Sequence, residues 1–256
     1  MRSLRSAIFF LILSTLPGLA AMASSRYMIN VGDVTTSTVT KESFLKHFYG
    51  VFFQNLLRMR QQPLPVVPAA DWEKPYFTAY TVENDQVLTI GFWGGMARIP
   101  GMNDEAVALI TCHEVGHVIG GEPRFKLPLY QILSSEGQAD YYATAVCLKD
   151  YFEKEPDTLK TLNELHDPQH RTLCEKVYEE PLQKAICLRS LRGVQGMRDV
   201  LLHMKPEEGP ASFTQTEQHM TAETLYDQYP TNQCRLDTLI AGALGAERPG
   251  CWYKAP

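Results

Sequence analysis

No C-x-x-C pair occurs among the six cysteines of this chain, which removes the usual sequence signature of a cysteine-based zinc knuckle. Basic residues are not in excess either. The 24 Lys and Arg stand against 29 Asp and Glu, a net charge of -5, and no stretch forms the basic stripe that a phosphate backbone requires. That balance excludes nucleic acid as a partner class. Beyond the N-terminus no segment is long and apolar enough to span a bilayer, so no stable membrane insertion of the mature chain is expected. Internal repeats and low-complexity tracts are also lacking.

What is present fits one full-sized globular domain with an apolar core, at 256 residues, 45% hydrophobic and 21% charged. The N-terminus reads as an export signal over residues 1–23. Arg2 and Arg5 give it a positive start, Ala7 to Leu13 an apolar run, and Ala21-Met22-Ala23 a small-residue cleavage site. A membrane anchor is the competing reading, but Ser14, Thr15 and Pro17 break the apolar run too early. Residues 24–256 form the expected mature domain, secreted or periplasmic. An even cysteine count in an exported chain favours disulfides. Cys174 with Cys187 and Cys234 with Cys251 would each close a modest loop, leaving Cys112 and Cys147 either bridged or buried free.

Hydrophobic spacing predicts helices over residues 41–61, 104–119, 129–152, 182–204 and 231–244, with shorter ones near 157–165 and 169–178. Short strands are expected at 76–82 and 86–93, with a loop at Pro63 to Pro68 and a mobile loop over 205–221. The expected fold is therefore mainly α with a small β-sheet.

The chemical signal is His113-Glu114-Val115-Gly116-His117, an HExxH pattern inside a predicted helix. Residues four apart stack on one helical face, so both imidazoles can bind one zinc ion. Glu114 is turned by about 100 degrees from His113 and can serve as a general base without ligating. A catalytic zinc takes a third protein ligand and keeps one position open. Glu136 on the next helix is the candidate, with Asp140 one turn later placed to orient a ligand histidine through its other nitrogen.

HEVGH followed by EGQAD resembles the gluzincin metallopeptidases, in particular the family of HtpX, BepA and the CAAX prenyl protease, over roughly residues 86–244. That resemblance implies a zincin-like catalytic domain with the metal between two long helices, hydrolysing an extended polypeptide. It also implies that residues 89–98 form the edge strand above the metal helix. There Gly94-Gly95 either admits a substrate backbone or makes a bulge or turn. Family members carry His-Pro with an Arg five residues after the Pro, and here Tyr229-Pro230 precedes Arg235. Tyr229 thus stands where the family has histidine. Its hydroxyl is expected to bond the oxyanion or cap the zinc at rest, the competing reading being plain packing. Arg235 is expected to be a structural or oxyanion-side cation. The rival reading from another class is a non-catalytic zinc-binding or chaperone-like module that holds unfolded clients.

Overall fold

A computed structural model describes residues 28–83, 86–127, 132–164 and 166–255. The predicted export signal lies outside them.

Thr40 starts the first helix, α1 (Lys41–Met59), through a capping box in which its side chain and that of Ser43 bond each other's backbone N–H. The apolar face of α1 then buries Phe44, Phe48, Val51, Phe52 and Met59. Three strands follow, β1 (Val66–Asp71), β2 (Ala79–Glu83) and β3 (Leu88–Trp93), in the order β1-β3-β2. β1 runs parallel to β3 and β2 antiparallel to it, with Val66 opposite Leu88 and Thr81 opposite Ile90. Where the sequence reads as a proline loop, Val66–Asp71 is therefore a strand. Pro68 is tolerated because β1 pairs only on one side.

A further correction concerns the expected edge strand at 89–98. β3 is the central strand, and the chain turns helical directly after it in α2 (Gly94–Ala97). Gly94 and Gly95 do admit a close backbone, but it belongs to this chain. A Cβ on Gly94 would lie 2.1 Å from the Trp72 carbonyl oxygen, and one on Gly95 1.9 Å from that of Pro75. The edge strand that packs against the HEVGH segment is β2, where the Thr81 hydroxyl meets Glu114.

Helix α3 (Asp104–Ile119) begins at Asn103, whose side chain accepts from the Ala106 N–H, with Asp104 and Glu105 favourably placed at the positive end of the helix. Every residue from Glu105 to Val118 is buried. Such a helix is the axis of the core, and α1, β2, β3 and the helical segments over 136–154 and 181–204 pack round it.

The next helix begins at Glu136, later than the sequence predicts. Residues 133–135 are held extended by tertiary bonds, Ser134 N–H to the His117 carbonyl (2.8 Å) and Ser135 N–H to that of Pro123 (2.9 Å). From there α4 (Glu136–Tyr142) runs through a π-helical turn (Ala143–Cys147) into α5 (Leu148–Lys154). The predicted helix near 157–165 is a 3-10 turn over Thr158–Asn163, followed by α6 (Pro168–Val177), α7 (Pro181–Met204) and α8 (Asn232–Leu244). Between the last two, residues 205–221 hold only a short 3-10 turn, yet they are tied to α8. Ser212 N–H donates to Gln233 and Glu217 N–H to Asp237. The fold is α+β and mainly helical, as the periodicity implies.

All six cysteines are paired: Cys112–Cys147, Cys174–Cys187 and Cys234–Cys251. Two of the bridges reach the chemistry. Cys112 precedes His113 and ties α3 to the π turn, and Cys234 precedes Arg235 and ties α8 to the C-terminal segment. Among the described residues no helix is long and apolar enough to cross a membrane. Three disulfides fit a chain that matures outside the cytoplasm.

Candidate metal centre

Two helices converge on the site, and a glycine sets their spacing. A Cβ on Gly116 would lie 2.9 Å from the Ala139 carbonyl oxygen and 3.0 Å from its Cα, so the HEVGH helix touches α4 backbone to backbone. That contact falls between Glu136 and Asp140 and brings both carboxylates beside the paired imidazoles. On its far side α4 leans on Trp252, whose ring would clash with any Cβ at Gly137.

The geometry of the ring nitrogens follows from what each histidine bonds. His117 donates from Nδ1 to the Ser134 carbonyl at 2.8 Å, and His113 Nδ1 lies 2.8 Å from Asp140 Oδ1. Both Nδ1 atoms are engaged with acceptors, which turns both Nε2 atoms to the same point, 3.1 Å apart. Glu136 closes the triangle. Its Oε2 lies 3.4 Å from His113 Nε2 and its Oε1 3.6 Å from His117 Nε2. One ligand atom from each of the three residues lies within 4.8 Å of the others, all buried. Glu136 Oε2 has no hydrogen-bond partner among the described residues. A buried carboxylate that sets one oxygen towards each of two imidazole nitrogens is a donor arrangement that a cation completes, so this group could hold a metal ion.

Arg235 identifies the charge that stabilises the pair of acids. It is almost fully buried, forks onto Asp140 at 2.6 and 2.8 Å, and reaches Glu136 Oε2 at 3.5 Å. Its fork therefore grips the acid behind His113. Burial alone would raise the pKa of Asp140, but Arg235 and His113 outweigh it and pull it below the usual range. Glu136 is likewise held low, because His117, His113 and Arg235 overcome its desolvation. Tyr229 is half exposed, yet its hydroxyl reaches the Glu136 carboxylate, and that negative charge together with burial pushes the phenol pKa up. Its ring also lies 5.6 Å from the Arg235 guanidinium.

Glu114 stands beside the three donors rather than among them. Burial raises its pKa against the lowering influence of the two histidines. Its Oε2 accepts from the Thr81 hydroxyl at 2.8 Å. The structure thus gathers every site residue that the sequence singled out. It also adds four that the sequence did not: Thr81, Ser134, Gly116, and Phe125, which stacks on His117 at 5.9 Å. Of these only Gly116, inside HEVGH, carried a visible signal, because a small residue there permits close helix packing.

His113 would make metal binding at this cluster depend on pH. Burial opposes the charged ring, but Asp140 and Glu136 overcome that and raise its pKa to about 10. Since the folded value lies above the ordinary 6.5, this pairing stabilises the metal-free fold fully below pH 6.5 and fades as pH climbs through about 10. At neutral pH an incoming ion must displace that proton. About one proton should be released per ion at pH 7, read from the dependence of calorimetric heat on buffer ionisation enthalpy. Equal heats in all buffers would show a neutral ring.

No known family, curated protein or solved structure matches this chain. The fold and site define its class by themselves, as a disulfide-bonded, mainly helical α+β protein with a buried His-His-Glu cluster able to hold a metal ion.

Proposed function

We propose that the chain is an exported zinc-dependent endopeptidase, the activity that the gluzincin resemblance of HEVGH and EGQAD implies. The observation that carries the reading is the convergence of His113, His117 and Glu136 with a second glutamate, Glu114, left outside the donor cluster. A structural zinc is usually closed by four protein ligands, mostly Cys and His, whereas three ligands and a spare acid suit catalysis. Two imidazoles and one carboxylate are a donor set that catalytic zinc takes, and zinc is the ion that the gluzincin resemblance implies.

Bound there, zinc supplies Lewis acidity, which polarises a carbonyl and acidifies water. Glu114 takes the proton of the attacking water and returns it to the leaving amine; its buried, raised pKa makes it a stronger base. Asp140 and the Ser134 carbonyl hold the two imidazoles in the binding tautomer, and Arg235 holds Asp140. Tyr229, whose hydroxyl stays protonated, donates towards the developing oxyanion or caps the ion at rest. An extended polypeptide is the substrate class, laid along the open edge of β2 rather than along 89–98.

Hydrolysis of unfolded casein that stops with a chelator and returns with added zinc is the expected result. Casein held but never cut by the zinc-loaded chain would replace this reading with that of a client-holding module. Within the same assay Tyr229→Phe should lower kcat about tenfold or more, as loss of an oxyanion donor does, with zinc content unchanged. Equal turnover of the two proteins would reduce Tyr229 to packing.

A further inference from the structure

Thr81 sits at the middle of β2, with Tyr80 and Val82 directed to the opposite face of the sheet. Its hydroxyl oxygen lies 2.8 Å from Glu114 Oε2 and 2.9 Å from the Glu114 carbonyl oxygen. Both partners are acceptors. A hydroxyl has a single proton, and an ionised carboxylate takes it more strongly than a peptide carbonyl, so the donation goes to Glu114 Oε2. One carboxylate oxygen of the acid is thereby tethered to the sheet while its Cα is fixed on the core helix. Side chains of this length have several rotamers, and the tether selects one.

We propose that Thr81 is a positioning residue for the peptidase reaction, locking the Glu114 carboxylate in register with the edge strand β2. This rests on the endopeptidase reading above. β2 is paired only with β3, through residues such as Ile90 opposite Thr81, and its other edge has no strand partner among the described residues. A peptide laid on that edge and the base that works on it would then share one rigid reference, the backbone of Thr81. The hydroxyl contributes geometry rather than binding energy, so its loss falls on kcat and not on KM.

The test compares Thr81→Val, nearly isosteric and suited to a strand, with Thr81→Ser, which restores the hydroxyl. The zinc-loaded proteins are assayed on one unfolded polypeptide beside the wild type and Glu114→Gln. Thr81→Val should lose about 10- to 100-fold in kcat with KM within about twofold, at unchanged zinc content, and Thr81→Ser should recover most of the loss. Crystals of the metal-free variants supply a readout that needs no activity. Glu114 should leave its single carboxylate rotamer in Thr81→Val and keep it in Thr81→Ser. Wild-type kcat and an unmoved carboxylate in Thr81→Val, with Glu114→Gln inactive, would overturn the role of Thr81 and leave the peptidase standing. A fully active Glu114→Gln would instead remove the peptidase mechanism and this inference with it. Should Thr81→Val not fold, Thr81→Ala, which also lacks the hydroxyl, carries the same comparison.

Discussion

On the proposed peptidase reading, a Glu114→Gln variant is expected to lose peptide hydrolysis by about a hundred- to ten-thousand-fold while keeping its zinc content. Gln keeps the size of the side chain and its bond from Thr81, but it cannot accept and return a proton. Because Glu114 lies outside the donor cluster, its loss should leave metal content unchanged. His113→Ala is the contrasting control. It removes one of three donors and leaves Asp140 without its imidazole, so metal should be lost together with activity. Measuring bound zinc and turnover on the same samples separates the two. Full activity in Glu114→Gln is incompatible with the scheme.

Arg235→Ala is expected to destabilise the fold by about 3–5 kcal/mol, the cost of leaving a buried charge without its partner. Asp140 is fully enclosed, and its remaining partner is His113. The sign of the pH dependence follows from the depressed pKa of Asp140. A carboxyl held low in the folded state contributes stability above its ordinary value near 3.8, and that contribution is lost as pH falls through the folded value. Without Arg235 only His113 opposes the effect of burial, so the Asp140 pKa rises and the acid takes up a proton at higher pH. The variant should therefore differ most from wild type near neutrality and approach it in acid, as denaturant unfolding at several pH values will read. An equal deficit at every pH would place the role of Arg235 in packing instead. Zinc affinity should fall as well, because Asp140 would no longer be held against His113.

Much of the site was legible because helices repeat locally. His113 and His117 lie on one face by their spacing, and Glu136 with Asp140 share a face of the next helix by the same rule. The extent of α3 was readable from hydrophobic spacing over 104–119, and Asn103 caps its start. Two disulfides were readable for the related reason that short loops close easily, and the structure adds Cys112–Cys147 to them. The strands were harder. β1 exists only because β3 lies beside it, and a proline within it hid that partner. Helix α4 begins late because Pro123 and His117 capture the backbone ahead of it, a contact that residue propensity does not encode.

The amino-acid order alone determined which side chains can do chemistry here: two imidazoles at helical spacing, an acid next to the first, and two acids four apart on the following helix. Tertiary structure alone decided that they meet. Asp140 and Arg235 are 95 positions apart, Glu114 and Thr81 33 apart, yet each pair is in direct contact. The physical reason is range. Periodicity and capping act over a few residues, whereas the Gly116 contact with α4, the fork of Arg235 and the tether from β2 depend on which surfaces the whole core brings together.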